Sequence, residues 1–357
     1  MCCFRFIVLA IPAFCTITEQ LGTDQPVSWT NLVPAFSRIA CSSTKKLTLC
    51  FYLVLGKQAR RTNTSSPLGQ LFDHGIDGLT SISHLSTAQC IAQLTNSYHY
   101  VWLQCALQFA FFQAQWEEYY TGILPHTTGQ IGVTEVNYGV ALWSIVTGLI
   151  IKPSFYNNEL PTSIDTILAN YFTLILGKDQ DTFQVKHLIL VLWVGMLGSL
   201  SLLSLVRVTK HLKYDVKLTA SAYSKLLSPA LCCAVALLAF PALPASVRYQ
   251  SLSFGLCLCL ITIKIIVLSM AKMSFASIQI DIMPLLIVST SVMMFMSPKT
   301  SSVIINDHIA NLPIIEYSYE VLSLYYLLRI IFWAHEACTQ LCDRLNISMF
   351  TIKEKSK

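Results

Sequence analysis

The chain has 357 residues, of which 54% are hydrophobic and 12% charged, and its mean hydropathy is +0.56. Soluble domains are roughly 25% charged, so an ordinary soluble protein is excluded and the surrounding medium is lipid. The net charge of +5 is scattered along the chain, without the basic stripe that nucleic-acid binding requires.

The N-terminal run Cys2–Cys15 is apolar with Arg5 near its start, like a weak signal sequence, but Pro12 interrupts it and no small-residue cleavage site follows. Residues 19–46 are polar and without period. Leu47–Leu55 is too short to span a bilayer, which takes about 20 apolar residues, so it reads as a helix cut in half. The polar stretch Gly56–Asp77 follows. Apolar runs then come at Ile76–Leu94, Tyr98–Gln115, Tyr138–Ile151, Leu188–Val206, Leu226–Leu243, Leu252–Met270, Ile282–Met296 and Leu322–Ala334, with a further candidate at Ile164–Leu176. The expectation is an all-α, polytopic transmembrane helical bundle of roughly 8–9 spans. Asn157–Asp165 and Ile304–Tyr317 read as loops. The clusters Lys45, Lys46, Lys57, Arg60, Arg61 and Arg207, Lys210, Lys213, Lys217 place both of their loops on the cytosolic side. The 13 cysteines show no pair of C-x2-C knuckles and read as small buried hydrophobes.

The chemistry concentrates in Gly56–Asp77. Asp73 and Asp77 are four apart, so on a helix their carboxylates leave one face about a turn apart and repel unless a cation binds. They stand where an apolar run begins, and acids at membrane depth point to function. Oxygen-only ligands suit Mg²⁺ or Mn²⁺, completed by water and phosphate oxygens. Lys57, Arg60 and Arg61 lie just upstream, and guanidinium forks match phosphate oxygens. Metal, acid pair and arginines together suggest a diphosphate. Gly69 and Gly75 allow close approach of a ligand or a helix, and His74 either faces the same cavity as a base or sits between helices. Topology signalling and helix-dipole compensation would explain any one of these residues, but not the set.

The spacing G-x2-A-R-x8-G-x3-D-x3-D, met by Gly56, Ala59, Arg60, Gly69, Asp73 and Asp77, resembles the signature of CDP-alcohol phosphotransferases. The wording around it is closest to the eukaryotic choline and ethanolamine enzymes. Weaker resemblance continues through Trp116–Tyr119, Thr121-Gly122, Val133–Val136, Cys338–Leu341 and Leu345–Ile352. The resemblance implies transfer of phosphoethanolamine or phosphocholine from the CDP-alcohol to diacylglycerol, giving phospholipid and CMP. It implies Asp73 and Asp77 as ligands of Mg²⁺ or Mn²⁺, and Asp77 as general base with His74 as the second candidate. Gly56, Lys57, Ala59, Arg60 and Gly69 are then expected to contact substrate. It also implies a catalytic membrane domain at 56–215, C-terminal transmembrane helices and a short tail at 216–357, a homodimer, and an endoplasmic reticulum or Golgi membrane with the site towards the cytosol.

One departure is serious. The family pattern opens D-x2-D-G, and the positions expected to hold those acids are Tyr52 and Leu55. Losing two of four carboxylates would abolish most stabilisation of the transferring phosphoryl. Similarity starts abruptly between Leu55 and Gly56. The leading expectation is therefore a working form that carries the missing acids in place of an atypical segment 1–55; the alternative is an inactive relative acting as a membrane scaffold or dimer partner. A transporter is disfavoured because no repeated halves are visible. Of the other polar residues, Glu117 and Glu118 read as a solvated helix end rather than acceptor-site polarity, and Thr134-Glu135 similarly. Lys264 and Asp281 either snorkel or face a neighbouring helix.

Overall fold

The computed structural model describes residues 69, 71, 74–79, 81, 82, 85, 92, 94, 98–125, 127, 128, 131, 132, 143, 146, 147, 153–172, 183–240, 248–295 and 313–345. The described part is helical, apart from a two-residue antiparallel ladder in which β1 (Thr127–Thr128) faces β2 (Ile131–Gly132). The helices are α1 (Tyr98–Thr121), α2 (Thr162–Tyr171), α3 (Val185–His211), α4 (Val216–Ser224), α5 (Leu227–Ala239), α6 (Arg248–Met270), α7 (Met283–Phe295) and α8 (Pro313–Leu345).

Local chemistry fixes several ends. Gly122 stops α1 in the left-handed region, φ 71°, where its N–H reaches the Glu118 carbonyl at 2.8 Å. At α3, Gln184 and His187 cap each other reciprocally, the Gln184 N–H donating to His187 Nδ1 at 3.0 Å. Lys213 and Tyr214 turn the chain with positive φ, and Asp215 then caps α4 by accepting from the Leu218 N–H at 2.9 Å. Pro313 occupies the first turn of α8, so the loop expected over Ile304–Tyr317 already becomes helix there.

Among the described residues three helices are long and apolar enough to cross a membrane: Val185–His211, Tyr249–Met270 and Tyr317–Arg344. These contain the expected spans Leu188–Val206, Leu252–Met270 and Leu322–Ala334. A fourth is possible by length only if α4 and α5, bent by 43° at Lys225-Leu226, count as one broken span. The candidate Ile164–Leu176 is corrected. α2 has 10 residues and closes where the Phe172 N–H meets the Leu168 carbonyl, so it covers only about 15 Å, half a bilayer core. Its Asp165 accepts instead from the Phe183 N–H at 2.7 Å, tying α2 to the start of α3. The run Tyr138–Ile151 lies largely outside the described residues.

Packing centres on α6, which lies against α1, α5, α7 and α8, while α1 also packs on α3 and α5. One apolar cluster joins α1 and α3 through α8 with Leu71 and Ile82, so helices from both expected domains share it. A second cluster gathers Leu85, Leu94, Leu103, Leu168 and the N-terminal half of α3. All seven described cysteines of the core are free thiols, six buried and Cys233 half-buried, as the sequence suggests.

Candidate functional site

Residues 74–79, which include Asp77 at the end of the motif, are helical. This short helix lies between α1 and α6. A methyl group on Gly78 would stand 3.1 Å from Cys259 Sγ and 3.6 Å from Phe111 Cε1, so the missing side chain is what lets the motif helix approach α6. Gly75 has ordinary room, its nearest neighbour being Ile263 Cγ1 at 3.8 Å. The close approach expected at Gly75 therefore belongs to Gly78, which the spacing did not single out. Gly69 is exposed ahead of this helix.

His74 makes contact with α1. Its Nδ1 is 3.2 Å from Nε2 of Gln115, a buried residue one and a half turns before the end of α1. Asp77, three positions on and half-buried, shares the His74 side of the helix. Gln115 thus orients the imidazole from the side of α1. Gly56, Lys57, Ala59, Arg60 and Asp73 lie outside the described residues. Among the described residues no three His, Cys, Asp or Glu side chains gather as a metal site. The case for a metal rests on residue type, since carboxylates such as Asp77 suit a hard divalent cation.

A cleft of about 10 Å³, room for a single water, lies beside Gly78, with Ser81, Gln108 and Thr262 on its walls. Small-molecule sites are roughly 300–1,000 Å³, so this cleft is a packing gap rather than the seat of a nucleotide.

The Trp116–Tyr119 segment corrects a further expectation. Glu117 is not a solvated helix end: it is 4% exposed and pairs through both carboxylate oxygens with Arg207 of α3, Nη2 standing 2.7 Å from Oε2. Trp116 donates to the Ala222 carbonyl of α4 at 2.9 Å, and the Tyr119 hydroxyl donates to the Met273 carbonyl at 2.9 Å while accepting from the Phe275 N–H. Trp116, Glu117 and Tyr119 thus fasten α1 to α4, to α3 and to the turn after α6. Arg207, read from the sequence only as a topology signal, is the half of this pair that local reasoning misses. Lys264 and Asp281 do face a neighbouring helix: they pair with each other, and Arg329 of α8 joins them. Thr134-Glu135 lies outside the described residues.

No protein-family model matches the chain. Among curated proteins it is similar to cholinephosphotransferase 1 of Gallus gallus, 33% identical over 153 residues that cover 37% of this chain and 45% of the relative. It is 34% identical over 143 residues to uncharacterized CDP-alcohol phosphatidyltransferase class-I family protein 3 of Dictyostelium discoideum, covering 35% of this chain and 36% of that one. Human cholinephosphotransferase 1 is 33% identical over 123 residues, covering 34% and 28%. The chain spans less than half the length of these relatives. The resemblance to CDP-alcohol phosphotransferases read from Gly56–Asp77 is matched by known proteins of that kind.

Proposed function

We propose that this chain has the architecture of a membrane transferase that moves phosphocholine or phosphoethanolamine from a CDP-alcohol to diacylglycerol, releasing CMP. The observation that carries this is the motif helix, which bears Asp77 and a His74 oriented by Gln115, in a helical protein similar to cholinephosphotransferases. In the reaction the diacylglycerol hydroxyl loses its proton to Asp77 and its oxygen attacks the phosphorus that bears the alcohol. The bond from that phosphorus to the bridging oxygen breaks, and CMP leaves with the electron pair. Lys57 and Arg60 hold the diphosphate, and Gly56, Ala59 and Gly69 give the nucleotide clearance. Mg²⁺ or Mn²⁺, held by Asp73 and Asp77, supplies neutralisation of the diphosphate charge when bound. His74 takes the proton if Asp77 is committed to the metal. We assign the remaining architecture as 8–9 spans, a catalytic domain at 56–215 with a C-terminal helical part at 216–357, a homodimer, and an endoplasmic reticulum or Golgi membrane with the basic loops in the cytosol.

Tyr52 and Leu55 stand where two further acids are expected, and they favour a second reading, an inactive membrane partner of an active relative. Release of CMP from membranes containing the full chain, with diacylglycerol and either CDP-alcohol, separates the two. The transferase reading expects the Tyr52→Asp, Leu55→Asp double variant to exceed the parent by about 100-fold or more, with the gain abolished by chelation of divalent cations. No turnover from either form, with association to an active relative retained, leaves only the partner. Within an active double variant, Asp77→Asn is expected to remove turnover while leaving nucleotide binding, and near-normal turnover would transfer the base role to His74.

A further inference from the structure

We infer that the gap beside Gly78 is the binding site of one ordered water, held by Ser81, Gln108 of α1 and Thr262 of α6. Its volume of about 10 Å³ admits one water and nothing larger. Gln108 makes the demand for a partner. It is buried, 4% exposed, and its Nε2 donates to the Gly255 carbonyl, while its Oε1 has no partner among the described residues. A buried acceptor left unpaired bears its full desolvation penalty. Both hydroxyls on the walls spend their protons on their own backbone: Ser81 donates to the Gly78 carbonyl at 2.8 Å and Thr262 to the Leu258 carbonyl at 2.7 Å. Each therefore turns oxygen lone pairs, not a proton, towards further partners.

Three acceptors around one small gap call for a donor. A water supplies two protons, one for Gln108 Oε1 and one for a hydroxyl oxygen, and its own oxygen can take the weak S–H donor of Cys259 on the same wall. A hard cation is the poorer fit, since it takes about six or more oxygens and a thiol is a soft ligand. The water acts as a joint. Ser81 follows Asp77 by one helical turn, so the bridge ties the chain just beyond the motif helix to α1 and to α6. It does so beside Gly78, where the motif helix comes closest to Cys259. Within a membrane protein no bulk solvent stands ready to satisfy these groups instead. The site is independent of the transferase reading, because it stands whether or not the chain turns over.

Two measurements on the full chain in nanodiscs test it. Cryo-electron microscopy at a resolution that shows ordered water is expected to give a density peak within about 3.2 Å of Gln108 Oε1 and of at least one of the two hydroxyl oxygens. A gap without a peak, in a map that shows water elsewhere in the core, would overturn the site. The second is a double-mutant cycle of Ser81→Ala and Thr262→Val, read as the midpoint of thermal unfolding. Each hydroxyl bonds to its own backbone, so coupling between the two passes through what lies in the gap. The double variant is expected to lose clearly less than the sum of the two single losses, because either change alone already breaks the bridge. Additive losses would overturn the water as a joint. Thr290→Val removes the same kind of intrahelical bond at an exposed position, to the Leu286 carbonyl, and is expected to add to Ser81→Ala without coupling. Coupling of equal size at Thr290 would overturn the bridge as well.

Discussion

Glu117 shows how little a residue's own neighbourhood says about its role. It stands next to Glu118 near the end of an apolar run, and by local rules it belongs in water. The structure buries it because Arg207, 90 residues later, presents a planar fork at the same level. Removing one partner of such a pair leaves the other uncompensated, and the penalty falls because Arg207 is 43% exposed and can turn to water. Glu117→Gln is expected to lower stability by about 1–2 kcal/mol in a thermal unfolding series. A solvated helix end would change it by less than about 0.5 kcal/mol, so the measurement separates the two environments. Gly255 is the opposite case, silent in the sequence and decisive in the packing. A methyl there would come within 3.0 Å of Gln104 Nε2, 3.1 Å of Ile82 Cδ1 and 3.2 Å of Gln108 Nε2, so one bare position lets three side chains meet α6.

At the scale of elements, α1 repays attention. It is 24 residues long, yet it is not among the helices apolar enough to cross a membrane by composition, because it carries Gln104, Gln108, Gln113 and Gln115. Each sends its amide to a different place: the carbonyls of Ser251, Gly255 and Ser201, and the ring of His74. Ser251 also donates to Gln104 Oε1 at 2.6 Å, closing a reciprocal pair between α1 and α6. Away from water the amides find partners on other helices, so a row that weakens the hydropathy signal becomes the means of packing. A double-mutant cycle of Gln104→Ala and Ser251→Ala, followed by thermal unfolding, is expected to give a coupling of about 0.6–1.7 kcal/mol. A coupling near zero would mean that each residue acts only through its own packing. The positions of α1, α3, α6 and α8 were legible in the sequence because apolar runs are local, but their lengths were not, since polar ends extend α8 to 33 residues and α3 to 27. The failure at Ile164–Leu176 has an equally local cause, since an apolar run does not reveal that Asp165 will cap a neighbouring segment.

For the whole molecule, the consequence of a central α6 is that the two expected parts of the chain do not bury their faces separately. Gly78 meets Cys259, Ile82 stands within reach of Gly255, and Trp116 bonds to Ala222, each joining the region before residue 215 to the region after it. Residues 1–215 expressed alone are therefore expected to be degraded or rapidly cleaved in limited proteolysis, and co-expression with 216–357 should restore protection. Stable, protected membrane insertion of 1–215 by itself would show that α6 is dispensable for that half.

The sequence by itself determined the helical class, the four-residue spacing of Asp73 and Asp77, the basic residues before it and the presence of Tyr52 and Leu55. These are statements about composition and short spacings, and helices translate short spacings directly into geometry. Tertiary structure decided which partner each polar residue takes: Gln115 for His74 across 41 residues, Arg207 for Glu117, and Lys264 with Arg329 for Asp281. No period encodes those pairings. They arise because a polar group withdrawn from water must find its complement on whichever helix the packing brings alongside.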